Sequence, residues 1–234
     1  MFRVVILAGG LGKRLHPITK TIPKSLVLVA GKPFIIHQLE YLRHQGVKEV
    51  ILCVNHFGKM IENTIGTGKN FSIKILYSYD GSVSLGTGGA IVKALPLLGD
   101  HFFILYGDTF LPINFNDVLE VYKLNKLKGL MTVFKNGNKW DKSNVMFINN
   151  RLIKYNKNSP VLEMNYIDYG LSVVAASVFK NYQVGKNLDL ADVYQNLSEN
   201  KNLAGFEVYE RFYEIGSTFG IKETENYFSN KKYI

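Results

Sequence analysis

The chain is short of cysteine, tryptophan and proline, with one, one and six in 234 residues. The single thiol, Cys53, excludes an internal disulfide and a metal cluster held on sulfur. It lies in an apolar run and is expected to be a buried thiol, not a nucleophile. The five histidines, His16, His37, His44, His56 and His101, show no H-x-x-x-H or similar metal spacing. No apolar run reaches the length of a membrane span. The first apolar run stops at Gly9, unlike a signal peptide. A cytoplasmic protein with no membrane partner is therefore expected. Acidic residues are also in deficit, 19 against 28 Lys and Arg, for a formal net charge of +9. Such an excess suits nucleic acid or small polyanions. The lysines (Lys123, Lys126, Lys128, Lys135, Lys139) are scattered rather than blocked, so no nucleic-acid partner is expected. Linkers, low-complexity tracts and internal repeats are missing too. One domain over residues 1–234 is expected, in two halves over about 1–115 and about 116–234.

Two common phosphate motifs are absent as well. The Walker pattern needs Gly-Lys followed by Ser or Thr, and Gly12-Lys13 is followed by Arg14. The dinucleotide fingerprint G-x-G-x-x-G is met at Gly10 and Gly12 but has Leu15 in third place. A Rossmann dehydrogenase also needs an acidic residue ending the second strand, and that strand ends Val54-Asn55-His56.

What is present is Val4-Val5-Ile6-Leu7-Ala8-Gly9-Gly10-Leu11-Gly12-Lys13-Arg14-Leu15, then Pro23-Lys24-Ser25-Leu26. Five small or apolar residues with β-branched members read as a short strand buried on both faces. Three glycines within four positions let a ligand lie directly on the backbone. Lys13, Arg14 and Lys24 supply fixed cations. Strand, glycine turn and cations together form a cradle for polyphosphate.

The rest of the first half alternates strand and helix. Helices are expected over Phe34–Gln45, with Pro33 in first position, over Gly58–Ile65 and over Asn116–Leu127. Strands are expected over Glu49–Val54, Ile73–Tyr77 and Phe102–Tyr106. Leu85-Gly86-Thr87-Gly88-Gly89-Ala90-Ile91 is a second glycine turn leading into a helix. Such alternation makes an α/β fold: a Rossmann-like three-layer sandwich with a mainly parallel sheet and ligands at the strands' carboxyl ends. The second half holds short strands over Leu130–Phe134, Val145–Ile148, Leu152–Tyr155 and Leu171–Ala175. Helices are expected near Leu190–Glu199 and Ile221–Phe228. A mixed β extension and a lid over the ligand side are expected there. Exposed aromatics, Tyr227 and Phe228, suggest a homodimer.

The string L-A-G-G-x-G-x-R-L followed by P-K-S resembles the signature of the sugar-1-phosphate nucleotidyltransferases, or nucleotide-sugar pyrophosphorylases. The G-T-G-G-A wording at 86–90 looks most like members that transfer guanylate to heptose 1-phosphate or mannose 1-phosphate. The resemblance implies roles, residue by residue. Leu7, Ala8, Gly9, Gly10, Gly12 and Lys13 would hold the nucleotide, with Gly86, Thr87 and Gly88 packed flat against the base. Asp80 would accept from a guanine edge. Arg14, Lys24 and Asp108 would be catalytic. Asp108, in Tyr106-Gly107-Asp108-Thr109, matches the family's metal-binding Asp. Glu214, in Glu214-Ile215-Gly216-Ser217, stands where a second metal-binding Asp is usual. Lys157 would meet the sugar phosphate, and Asp168, Tyr169 and Gly170 the sugar hydroxyls. The implied partners are a nucleoside triphosphate and a sugar 1-phosphate, and the implied cofactor is Mg²⁺. Two alternatives stay open: transfer from UTP, CTP or dTTP, and a non-catalytic regulatory subunit that binds nucleotide sugars.

Overall fold

The structure, a computed structural model, describes residues 2–55, 57–81 and 83–230; His56, last in the Val54-Asn55-His56 strand end, lies outside the described residues. β1 (Arg3–Leu7) carries Val4, Val5 and Ile6, all fully buried. The glycine segment after it does not enter an α-helix. Three successive 3-10 turns follow instead, Lys13–Leu15, Ile18–Lys20 and Lys24–Leu26. β2 (Leu28–Val29) and β3 (Lys32–Pro33) make a small antiparallel pair across Gly31, whose φ is 78°. Pro33 is extended, with ψ 134°, so it caps α1 (Phe34–His44) rather than opening it. Gly46, φ 78°, takes the chain out of that helix.

β4 (Glu49–Val54), α2 (Gly58–Ile65) and β5 (Lys74–Tyr79) come next. Then follow α3 (Gly86–Leu98), β6 (His101–Tyr106), the two-residue β7 (Thr109–Phe110) and α4 (Phe115–Asn125). The second half contributes β8 (Gly129–Lys135), β9 (Val145–Ile148), β10 (Arg151–Tyr155) and β11 (Tyr166–Ala175). It closes with α5 (Leu190–Glu199), β12 (Leu203–Val208), β13 (Tyr213–Glu214) and α6 (Thr218–Asn230). β11 begins five residues earlier than its apolar run, and β12 was not legible in advance. Gly205 and Glu207 interrupt its apolar pattern, but pairing with β8 satisfies its backbone.

β5, β4, β1 and β6 run parallel and side by side. β11 is antiparallel to β6, β8 is antiparallel to β11, and β12 is parallel to β8. The β9–β10 hairpin joins β11 at Tyr166. The expected β extension therefore lies in the same nine-stranded sheet as the parallel strands. Val4 and Ile6 face one core cluster and Val5 the other, as the period of two requires. α1, α2 and α4 cover the first face through Ile35, Leu39, Ile61 and Phe115. α3 and α5 cover the second through Ile91, Ala94, Leu190 and Leu197. The result is the expected three-layer α/β sandwich, mainly parallel and Rossmann-like. Each fully buried Val, Ile or Leu is worth about 1.5–3 kcal/mol. The sheet interior is thus a stiff support, and polar chemistry is left to the loops at its carboxyl edge.

Tyr227 and Phe228 are not the free apolar surface expected of them. Tyr227 stacks on Tyr213 with ring centroids 3.9 Å apart, and Phe228 stacks on His37 at 4.0 Å. Both pack against a third cluster of Leu15, Val27, Phe34 and Phe110. They tie α6 to the body of the chain, so they give no support to a dimer. Among the described residues no helix is long and apolar enough to cross a membrane.

Candidate active site

The carboxyl ends of β1, β4, β5 and β6 open onto one cavity of about 290 Å³. Parallel strands deliver their last residues to the same edge, so four sequence-distant segments meet there. Leu7, Ala8, Gly9 and Gly10 line it from β1, and Cys53 from β4. Asp80 lines it from the end of β5, and Tyr106, Gly107 and Asp108 from the end of β6. Lys24, Gly86 and Thr87 are also part of the wall. Burial pushes the Cys53 thiol up, and its Sγ donates weakly to the Ala90 carbonyl at 3.6 Å. It is floor, not nucleophile.

The glycines divide the work. Gly9 and Gly10 leave the cavity wall without side chains, and a Cβ on Gly10 would meet nothing within 4 Å. Gly12 alone of the three has a positive φ, 59°, and Thr19 hydrogen-bonds its carbonyl at 2.7 Å. Gly12 and the exposed Lys13 do not line the cavity; they shape the turn behind it. Gly107 allows a close crossing: a Cβ there would lie 2.9 Å from the Leu7 carbonyl oxygen. Its N–H donates to that oxygen at 3.0 Å, joining the β1 and β6 ends.

Asp108 is the best-supported position in the cavity. Lys24 donates to its Oδ2 at 2.6 Å, with the lysine side chain only 12% exposed. The two were 84 positions apart in the sequence. β13 pairs antiparallel with β7 and sets Glu214 opposite Thr109, and Ile215 N–H donates to the Asp108 carbonyl at 3.0 Å. That short pairing brings Glu214 beside Asp108. Burial first, and the Asp108 charge second, push the Glu214 carboxyl above its usual range, while Arg14 and Lys24 act the other way. Arg14 and Glu214 converge on Gly216: a Cβ there would lie 3.2 Å from an Arg14 guanidinium nitrogen and 3.2 Å from both Glu214 oxygens. Asp108, Glu214, Lys24 and Arg14 therefore form one charge cluster.

That donor set fits Mg²⁺. Hard carboxylate oxygens of two residues lie near each other, and the Asp108 charge is felt at Glu214. Among the described residues no group of three or more His, Cys, Asp or Glu could hold an ion by itself. An ion shared with phosphate oxygens and water meets that limit.

The second glycine turn is not a loop. Gly86, Thr87, Gly88 and Gly89 are the first turn of α3. The chain at 186–188 lies across that turn. Leu188 accepts from Gly88 N–H at 2.8 Å and from Gly89 N–H at 3.1 Å. A Cβ on Gly88 would lie 2.7 Å from Leu188, and one on Gly89 2.5 Å from the Lys186 carbonyl. The expectation that Gly88 packs flat against a base is therefore corrected: it packs against chain, and it does not line the cavity. The Thr87 hydroxyl is likewise engaged, donating to Asp189 at 3.0 Å and accepting from Leu190 N–H at 2.9 Å. Asp80 is 9% exposed and accepts from Leu85 N–H at 3.4 Å. Burial raises its carboxyl above the usual range.

On the other side of Tyr106 lies a second polar group. Asp168 sits within β11, half-buried, and accepts from Gly170 N–H at 3.0 Å. Gly170 has φ 107°, so only glycine fits there without strain. Lys157 lies 3.8 Å from Asp189, and its charge also reaches Asp168. Tyr169 is a correction. Strand alternation turns it away from Asp168 and Gly170 into the core, where it is 1% exposed and edge-on to Phe212. Its hydroxyl has no hydrogen-bond partner. Tyr169→Phe is expected to leave the Michaelis constants unchanged and to hold or raise stability by about 1 kcal/mol, the cost of a buried unpaired hydroxyl. A large rise in the sugar Michaelis constant would restore Tyr169 to the site.

Burial pushes the Asp168 carboxyl up to about 6, against the Gly170 N–H and the Lys157 charge, which lower it. An acid with a native pKa above its unfolded value holds its proton more tightly when folded. Its contribution to stability is largest at low pH and falls as pH rises through the window from about 4 to about 6. Asp168→Asn removes that ionisation. Its Tm should exceed wild type at pH 7.5, and the gap should close below about pH 4. A gap that stays constant with pH would show that ionisation is not the cause.

Two positioning residues carry no motif. Gln38 donates from Nε2 to the Tyr106 and Thr109 carbonyls, both at 2.8 Å, and so brackets Gly107-Asp108. Its available signal was a polar residue on the apolar stripe of α1, beside Ile35, Leu39 and Leu42. Asn55 donates to the Gly9 carbonyl and fixes the glycine segment. Asp189 had no signal beyond a helix N-cap pattern.

Residues 3–144 match the family model described as nucleotidyl transferase. The chain is 33% identical over 181 residues to the D-glycero-alpha-D-manno-heptose 1-phosphate guanylyltransferase of Campylobacter jejuni, covering 77% of this chain and 79% of the relative. It is 40% identical over 114 residues to the N-acetylmuramate alpha-1-phosphate uridylyltransferase of Neisseria meningitidis, covering 48% of this chain and 49% of that relative. In fold it is similar to the UDP-glucose pyrophosphorylase of Acinetobacter baumanii, with a TM-score of 0.83 at 17% identity over 99% of this chain and 95% of that one.

Proposed function

The chain belongs to the nucleotidyl transferase family, and on that premise we propose that it transfers a nucleoside monophosphate from a nucleoside triphosphate to a sugar 1-phosphate. The products are a nucleoside diphosphate sugar and pyrophosphate. The single observation that carries this is the cluster of Lys24, Asp108, Glu214 and Arg14, of which Lys24 and Asp108 line the glycine-walled cavity.

A sugar 1-phosphate is already an anion, so its oxygen needs no general base. The barrier is repulsion between two polyanions and charge building on the leaving pyrophosphate. Gly9 and Gly10 let the triphosphate lie on the backbone. Arg14 and Lys24 neutralise phosphate charge and hold attack in line at the α-phosphorus. Asp108 and Glu214 would hold Mg²⁺, which supplies further charge neutralisation when bound. One phosphorus–oxygen bond forms as the α–β bridge breaks. The absence of a nucleophilic triad from this mechanism needs no replacement, since displacement is direct.

GTP is the favoured donor and a heptose- or mannose-type sugar 1-phosphate the favoured acceptor. Asp80 supports the base: a carboxylate accepts two hydrogen bonds, and guanine offers two adjacent donors on one edge. The heptose relative matches over more of this chain than the uridylyl relative does, which supports the same choice. The same reading puts the protein in the cytoplasm, where both substrates are made.

The test offers GTP, UTP, CTP, dTTP and ATP with heptose, mannose, glucose and N-acetylmuramate 1-phosphates in the presence of Mg²⁺ and measures pyrophosphate. The largest release is expected with GTP and the heptose or mannose compound. Highest turnover with a pyrimidine nucleotide would overturn the base choice alone, and no release from any pair would overturn the transferase itself.

A further inference from the structure

Asp189 does more than an N-cap needs. One oxygen, Oδ1, accepts from Ala191 N–H at 3.0 Å and from the Thr87 hydroxyl at 3.0 Å. Those two bonds satisfy the start of α5 and tie it to α3. Asn or Ser would serve as well for that purpose. The other oxygen, Oδ2, faces the Lys157 ammonium at 3.8 Å. Burial pushes the Asp189 carboxyl up, but the Ala191 N–H, the Lys157 charge and the Thr87 hydroxyl outweigh it and hold it below its usual range.

The position of Asp189 is itself fixed from the nucleotide side. The residues just before it, 186–188, press on the first turn of α3, where Gly86, Gly88 and Gly89 have no room for a Cβ. Leu188 donates to the Leu85 carbonyl at 2.9 Å and accepts from Gly88 and Gly89. Gly86 and Thr87 are also wall of the nucleotide cavity. A continuous chain of contacts therefore runs from that wall through Thr87 and Asp189 to Lys157, whose charge also reaches Asp168.

We propose that Asp189 is a positioning residue that holds the Lys157 ammonium at the sugar side, with its place set by the docking of α5 on the nucleotide wall. The assignment of Lys157 to the sugar phosphate rests on the function proposed above. The contact between Asp189 and Lys157 does not. The free lysine would otherwise swing on a long side chain that is 55% exposed. Holding it lowers the entropy lost when an anionic sugar 1-phosphate arrives.

Asp189→Asn tests this, because Asn keeps the cap and the bond to Thr87 while removing the charge. Asp189→Ser, another strong cap without charge, carries the same test should Asn fold poorly. With the best donor–acceptor pair of the panel, the sugar 1-phosphate Michaelis constant should rise about threefold to fivefold, the range a part-exposed ion pair supplies. The nucleotide Michaelis constant should not move, and Tm should fall only slightly, as the lost charge of a carboxyl held below its usual range requires. Lys157→Met should raise the sugar constant further, and adding Asp189→Asn to it should do nothing more. A second arm needs no turnover. Acetic anhydride labelling at neutral pH, read lysine by lysine by mass spectrometry, should be at least about twofold faster at Lys157 in Asp189→Asn, because a half-exposed side chain released from its carboxylate meets the reagent more freely. Other lysines should be unchanged. An unchanged labelling rate at Lys157, or additive effects in the double variant, would overturn the proposal. Absence of turnover with every pair would overturn the proposed function, and the labelling arm would then decide the role of Asp189 alone.

Discussion

Asp108→Asn is expected to lower kcat by about 10²–10³-fold, the cost of removing one positioned charged group from a reacting centre. The side chain keeps its shape and loses its charge. Two partners are then affected. Lys24, 2.6 Å away, loses its counter-charge, and the carboxylate pair proposed to hold Mg²⁺ falls from two to one. The Mg²⁺ concentration for half-maximal rate should therefore rise as kcat falls. Glu214→Gln should raise the same quantity by less, because it lies beside the ion pair rather than in it. The double variant should lose less than the sum of the two, since both act through one ion. Additive losses, with an Mg²⁺ dependence in Glu214→Gln like that of wild type, would remove Glu214 from the metal site. Asp108 would then hold the ion with phosphates and water.

Arg14→Ala is expected to cost about 2–4 kcal/mol of transition-state stabilisation, read as a drop in kcat/KM. Arg14 is exposed and sits in the middle of a short 3-10 turn. Tm should barely change, because nothing apolar is uncovered. The contrast with Lys24 is physical. Lys24 is nearly buried and already spends its charge on Asp108, whereas Arg14 reaches the cluster from the solvent side. Near wild-type kcat/KM in Arg14→Ala would leave Lys24 as the cation that acts on the phosphates.

The glycine string and Asp108 could be placed in one site before any coordinates, because each sits just after a strand and parallel strands share an edge; Lys24 joined them through the resemblance of its Pro23-Lys24-Ser25 motif. Glu214 was harder. Its place beside Asp108 depends on a two-residue pairing of β13 with β7, far too short to leave a periodic signal. Tyr169 was misplaced for the opposite reason. The apolar run predicts a strand only from Leu171, and outside a strand side-chain direction has no period. Once β11 extends back to Tyr166, alternation puts Asp168 and Gly170 on one side and Tyr169 on the other. Gly88 shows a third cause. Glycine marks a close approach but does not say by what, and here the neighbour is residues 186–188 rather than a ligand.

By itself the sequence determined the strand–helix order of the first half, the buried fate of Val4, Val5 and Ile6, and the bare wall at Gly9 and Gly10. These follow from local rules: period, side-chain branching and the missing Cβ. The tertiary structure alone decided which charges meet. Lys24 with Asp108, Asp108 with Glu214, Thr87 with Asp189, and Asp189 with Lys157 are pairs across 84, 106, 102 and 32 positions. Such pairs cost loop-closure entropy and gain nothing until the sheet has formed. Their partners are then fixed by strand order and helix docking, and no short window of residues contains that information.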